Sequence, residues 1–272
     1  MYTYQGQNMQ RKLCFKQDGQ EYNLYDLPRD FVINSNIDIS HLGLTKLPNL
    51  SDVIVNGDFC CAHNNLRDLD GAPKVVTGDF FCYDNRLISL FNGPRIIGGW
   101  FDCSYNDLQN LNYSPVFVNG EFDCSHNQLV SLCNQNKFIG GNFICHHNKL
   151  KTLQNAPTNI GDGFDCSNNE LNSLYGVPEF TNGYFVCSYN YLKTLKYAPR
   201  IVNGYFNCAH NLLKSLKYAP RIVGSGFNCY SNQLTDFRYA PKVIQGDILI
   251  SENPFKEGWQ KILERYNRNH GK

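Results

Sequence analysis

Nine cysteines in this chain stand 21 residues apart: Cys61, Cys82, Cys103, Cys124, Cys145, Cys166, Cys187, Cys208 and Cys229. A fixed period assigns one residue to each structural repeat, whereas a disulfide framework has irregular spacings. Only Cys14, Cys60 and Cys133 lie off the grid. Other columns keep the same period. Phe stands two residues before every grid cysteine, Asn three after, and Leu five after. Leu stands eight after, from Leu69 to Leu216, and Phe237 takes that place in the last unit. Pro stands twelve after, except at Asn136. Gly usually stands four before, and Val or Ile six before. Partial units flank the nine. Ile37-Asp38-Ile39 with Leu44 and Leu47 fits the frame with one inserted residue, and Ile248-Leu249-Ile250 with Asn253 fits without one. Together they give about eleven strand units.

The unit [VI]-x-G-x-F-x-C-x-x-N-x-L-x-x-L-x-x-x-P resembles the leucine-rich repeat, with Phe and Cys in its first two Leu places. The short period and the Pro are similar to the bacterial subclass. The cysteine column is similar to repeats in leucine-rich proteins of tailed bacteriophages. The Gly and the residue added before Phe depart from the bacterial pattern. The resemblance covers roughly residues 33–255. It implies a mainly β solenoid with a parallel sheet on its concave face, and a role in binding another protein.

Elementary physics agrees with a solenoid. F-x-C makes a short strand whose Phe and Cys point into the core, where Cys acts as a small apolar filler. Asn closes the turn and bonds the next coil, so stacked Asn residues form a ladder. Leu at +5 and +8 fill each coil, and Pro at +12 disfavours helix on the convex side. A coil buries its apolar edge only against neighbours, so the ends need caps. Residues 1–32 form the N-terminal cap, with a hairpin over 11–26 turning at Asp18-Gly19. Residues 33–253 form the solenoid, and 254–272 a capping helix and tail. Pro254 suits the helix's first turn, and Phe255, Trp259, Ile262, Leu263 and Tyr266 make its apolar face.

Several chemistries lack their motifs. There is no C-x-x-C pair for zinc, no G-x-S-x-G for a serine nucleophile and no G-x-x-x-x-G-K-[ST] phosphate loop. His63, His126, His147 and His210 lie two residues after cysteines, with His146 beside one of them. His126, His147 and either Asp123 or His146 have the chemistry of metal ligands, but histidines at a strand end are ordinary surface residues, so no metal and no cofactor is expected. Asp102 with Asp123 is a carboxylate pair on a solvated sheet, where an acidic binding face is the simpler account than acid–base catalysis. With residues 254–272 after the last coil, no appended catalytic domain is expected. The expectation is a non-enzymatic module.

Met1 to Gln10 has no apolar core, so no secretory leader is expected. No run approaches the ~20 apolar residues of a membrane span. Buried cysteines without a disulfide pattern suit a reducing cytoplasm, that of the host if the chain is phage-encoded.

Binding residues are those whose identity the repeat leaves open. Strand alternation sends positions −3, −1 and +1 outward, with +2 at the strand end. The candidates are Phe81, Tyr83, Trp100, Asp102, Tyr105, Glu121, Asp123, Ile144, His146, Tyr184, Tyr189 and Tyr205. Aromatics mixed with carboxylates suit a protein-binding patch. Cys60, off the grid, faces the same side. Charge offers an alternative. Residues 1–186 carry 12 Lys+Arg and 19 Asp+Glu, net −7; residues 187–272 carry 13 and 5, net +8. Lys193, Lys196, Arg200, Lys214, Lys217, Arg221, Arg238 and Lys242 interleave with Tyr197, Tyr218 and Tyr239 on the turn and convex side. A nucleic-acid stripe looks like this, and so does a flank copied by duplication of Y-A-P-R-I-V.

Overall fold

The computed structural model describes residues 13–132 and 138–269. Expectations at residues 11 and 12, at Cys133 and Asn136, and beyond residue 269 fall outside them. The described residues form two compact units, 13–128 with 138–140, and 129–132 with 141–269.

The first unit begins with the expected hairpin, Cys14–Gln17 against Gln20–Asn23. Its turn residues Asp18 and Gly19 both have left-handed φ, 51° and 79°, the geometry that matches the twist of paired strands. Phe15 stacks on Tyr22 at 5.5 Å, and the side chain of Gln17 both donates to Val32 O and accepts from Asn34 N. These bonds tie the hairpin to the first coil.

Each coil then contributes two short strands. The first series is Ile37–Asp38, Phe59–Cys60, Phe80–Phe81, Phe101–Asp102 and Phe122–Asp123, all parallel. Ile37 pairs with Phe59, 22 residues on, and later partners lie 21 apart. The inserted residue read from the sequence is therefore real. The second series runs Val32–Ile33, Ile54–Val55, Val75–Val76, Ile96–Ile97, Phe117–Val118 and Phe138–Ile139. Sequence reading expected one sheet. The apolar residue at −6 instead belongs to a second strand, which buries −6 and turns −7 outward.

The second unit repeats the plan. Its first series is Phe143–Ile144, Phe164–Asp165, Phe185–Val186, Phe206–Asn207, Phe227–Asn228 and Ile248–Leu249. Its second is Phe180–Thr181, Ile201–Val202, Ile222–Val223 and Val243–Ile244. A helix, Trp259–Asn269, follows. It starts after Gly258, so Pro254 lies outside it. Tyr266 is its one buried residue. The Tyr266 hydroxyl donates to Pro241 O and its ring meets Phe237 at 5.3 Å. Trp259, placed on the apolar face by its spacing, is 42% exposed, one turn too early to reach the coil.

The core is the set of columns. The nine Phe, nine grid Cys and the Leu pairs are buried. Within each unit neighbouring Phe rings lie 5.0–5.9 Å apart, some stacked and some edge-on. Burial pushes the thiols of Cys61, Cys82, Cys103, Cys166, Cys187, Cys208 and Cys229 far above the usual cysteine range, so they are inert fillers. The Asn ladder is present, but it bonds the preceding coil and not the next. Asn190 Nδ2 donates to Cys166 O one coil back, and to Cys187 O and Ser188 O in its own turn. Asn190 Oδ1 accepts from Leu171 N, also one coil back.

Candidate functional site

The backbone explains much of the variable columns. Position +2 is left-handed in every coil, at His63, Asp84, Tyr105, His126, His147, Asn168, Tyr189, His210 and Ser231. Asn, Asp and His tolerate that region best, which accounts for the histidines gathered there. Position −1 is often Asp or Asn because its side chain accepts the N–H two residues on, as Asp102 does from Ser104, Asp123 from Ser125 and Asn207 from Ala209. Position −3 works across coils: Asp58 accepts from Asp79 N, and Asp79 from Trp100 N.

In the first unit the strand face aligns Cys60, Phe81, Asp102 and Asp123 in one row by strand register. Phe81 meets Tyr83 edge-on at 6.2 Å, and Tyr83 meets His63 at 5.0 Å. His63 stacks on His41 and holds Asp84 with Nδ1 2.6 Å from Oδ2. Burial raises the Tyr83 hydroxyl above its ordinary pKa. Trp100 is 53% exposed, and its ring lies over Gly120, where an added Cβ would collide with it. Glu121 follows it at −3 in the next coil, half-buried. Tyr105, at the strand end, stacks on His126 at 4.2 Å and stands apart from the row.

Asp102 is the chemically perturbed group. Burial, with a smaller push from Asp123 and against the lowering bonds from Ser104, raises its pKa to about 6. The geometry gives a carboxylate that changes charge near neutral pH. Cys60 is half-buried beside this row.

The second unit carries the remaining candidates. Ile144 and His146 flank Cys145, and His146 Nδ1 lies 2.9 Å from His147 Nδ1. Burial, then His146, lowers the His147 pKa. The ring of Tyr184 lies against Gly163 and that of Tyr205 against Gly226, so glycine makes room for aromatics at −3. Tyr189 stacks on His210 at 4.1 Å. The structure thus divides the candidates: Phe81, Tyr83, Trp100, Asp102, Tyr105, Glu121 and Asp123 are in one unit, and Ile144, His146, Tyr184, Tyr189 and Tyr205 in the other.

The eight basic residues Lys193, Lys196, Arg200, Lys214, Lys217, Arg221, Arg238 and Lys242 are all exposed, all in the second unit. Lys196 Nζ lies 4.8 Å over the Tyr197 ring and Lys217 Nζ 5.1 Å over Tyr218. Arg238 is held by Asp236.

Sequence reading missed the outward row of the second series. Val32, Ile96 and Phe117 are exposed in the first unit, and Phe180 and Val243 in the second. The signal was an apolar pair, such as Ile96-Ile97 or Phe117-Val118, where a one-sided strand needs a single apolar residue.

These features define a leucine-rich-repeat-like β-solenoid. No family model matches the chain, and no curated protein matches it. Among solved structures, YopM from Yersinia enterocolitica WA-314 is similar at 20% identity, covering 80% of this chain and 56% of that one, with a TM-score of 0.48. YopM, a leucine-rich effector protein from Yersinia pestis, is similar at 17% identity, covering 80% of this chain and 77% of that one, also with a TM-score of 0.48. The chain therefore spans just over half the length of the first YopM. Among the described residues no helix is long and apolar enough to cross a membrane.

Proposed function

We propose that the chain is a non-enzymatic module that binds another protein through the strand face of its first unit. The observation that carries this reading is Trp100, an indole 53% exposed on a sheet face beside Phe81, Asp102, Glu121 and Asp123. A solvated sheet has no need of such a residue, and a large aromatic ringed by polar groups is the usual anchor of a protein interface. The rows around it hold Asp58, Asp79, Asp102, Glu121 and Asp123 and no Lys or Arg, so the partner presents a basic surface with a slot for the indole. A stack of short strands is rigid before binding, which lowers the ordering cost of association. Action is by occlusion or scaffolding, without turnover. The likeness of the repeat to bacterial and bacteriophage leucine-rich proteins supports an inhibitor or effector role in a host cytoplasm.

The test is capture from a bacterial lysate on immobilised protein under reducing conditions, with and without nuclease. A single protein should be retained after nuclease and lost with the double variant Trp100→Ala, Asp123→Asn. Asn keeps the bond to Ser125 N, so the variant should keep its unfolding midpoint. Undiminished capture by the folded variant refutes the assignment to this face.

A further inference from the structure

The second unit carries a groove of about 710 Å³ lined by Tyr175, Tyr197, Tyr218, Arg200, Arg221 and Glu179 among others. Its lining takes no residue from a first-series strand and includes Ile201 of the second series. Two observations make it more than a solvated flank. The first is backbone conformation. Position +10 is left-handed in every described coil, and four coils fill it with Gly71, Asn92, Asn155 and Gly176. Tyr fills it in the other four, once in the first unit at Tyr113 (φ 67°) and in three successive coils at Tyr197, Tyr218 and Tyr239, at φ 74°, 73° and 64°. A bulky side chain there is strained, and strain retained in three adjacent coils points to use. The rings gain no burial in return, since they are 48%, 51% and 62% exposed.

The second observation is the cation row. Arg221 N donates to Arg200 O, and Lys242 N to Arg221 O. These bonds set the backbones of the three cationic residues one strand spacing apart, about 4.8 Å. Glu179, 3.9 Å from Arg200 and itself exposed, is the one carboxylate lining the groove. Lys196 Nζ and Lys217 Nζ lie over the Tyr197 and Tyr218 rings, at 4.8 and 5.1 Å from their centroids. Cations set among exposed aromatic rungs match a single-stranded polynucleotide, with its phosphates on the cations and its bases on the rings.

We infer that this groove binds single-stranded nucleic acid, using Tyr197 and Tyr218 as stacking platforms and Arg200 and Arg221 as phosphate contacts. The site is independent of Trp100 and of the partner proposed for the first unit. About four phosphate contacts give a salt slope, log K against log[salt], of roughly −3.

The experiment is fluorescence anisotropy of labelled dT12 at 50 mM salt, with a 12-base-pair duplex, polyglutamate and phosphatidylserine vesicles as competitors. The full chain should bind dT12 with that slope and prefer it to every competitor. Tyr197→Asn with Tyr218→Asn should weaken binding at least tenfold. The same variant should unfold no earlier than the parent, since Asn is native to this position in two coils and relieves the strain. Arg200→Glu with Arg221→Glu should abolish binding. No binding of dT12, equal binding of duplex, displacement by polyglutamate or vesicles, or full binding by the folded Asn variant would each overturn the inference.

Discussion

Asp102 and Asp123 pair side by side in neighbouring strands, and each carboxylate already serves its own turn. Asp102 Oδ1 accepts from Ser104 N at 2.9 Å, a task that Asn207 and Asn228 perform in later coils. The negative charge is therefore not needed for the fold, and burial makes it costly. In the fold Asp102 holds its proton to about pH 6, whereas in the unfolded chain it ionises near the ordinary carboxylate value. Unfolding thus releases a proton between those values. The contribution to stability is complete below the unfolded pKa and is lost as pH rises through 6. Asp102→Asn should then stabilise the protein at pH 7.5 by about 1–2 kcal/mol, allowing for the solvent-facing edge of the group, and by almost nothing at pH 4. Urea midpoints of both proteins at the two pH values decide it. A variant that is no more stable at pH 7.5 would show that Asp102 is ionised without cost. If the partner is basic, its capture should also strengthen as pH rises through 6.

At the scale of the element, the coil is held by its asparagine as much as by its apolar columns. Asn190 makes four buried bonds, three donated and one accepted. Asn190→Ala should leave the buried Leu171 N–H without its acceptor, while Cys166 O keeps its bond from Asn169, and cost about 3 kcal/mol. Asn190→Asp should cost more still, because it adds a buried charge and removes both donors. Thermal unfolding of the two variants ranks them, and an aspartate variant as stable as the alanine one contradicts the account. These columns were legible in the sequence because each holds one residue type at one spacing and faces one environment. Phe and Cys alternate inward in a first-series strand, and Leu at +5 and +8 fill the same core. The second series was not legible. Ile54–Val55 and its equivalents are two residues long, too short to display an alternation, and their outward members are apolar too. The left-handed corners were hidden differently. Position +2 mixes His, Asp, Tyr, Asn and Ser, so its common property is a backbone angle and not a side-chain type. Trp259 followed helical spacing, but periodicity does not say at which turn a helix meets its coil. For the candidate site, alternation correctly put Phe81, Asp102 and Asp123 on one row. Which of them owe their identity to turn bonding emerged only from hydrogen bonds.

For the molecule as a whole, the repeat makes length an adjustable quantity. Each coil contacts its neighbours through identical columns, so stability is close to a sum over coils and interfaces. Removing residues 188–208 joins Cys187 to Ala209 and leaves every column in register. Asn211 then stands three residues after Cys187 and takes the N–H of Leu171 in place of Asn190. This deletion should fold with unchanged strand signature in circular dichroism and a urea m-value reduced roughly in proportion to the chain removed. Removing 189–208 instead leaves Ser188 in place and shifts Asn211 to +4, where it misses the turn. That protein should be far less stable, although it differs by one residue. The position of the extra residue is what matters, as the first coil demonstrates. Ile37 and Phe59 pair across 22 residues, yet Leu44 and Leu47 keep their places after Ile39 and remain buried, so the insertion sits in the loop beyond Leu47, where no column is displaced. The in-register deletion also separates the two proposed activities. It removes Lys196, Tyr197 and Arg200, and leaves Trp100, Asp102 and Asp123 untouched. Binding of dT12 should fall at least severalfold, while capture of the protein partner should persist at full strength. Loss of both together would mean that a single surface serves one ligand, and would refute their assignment to different units.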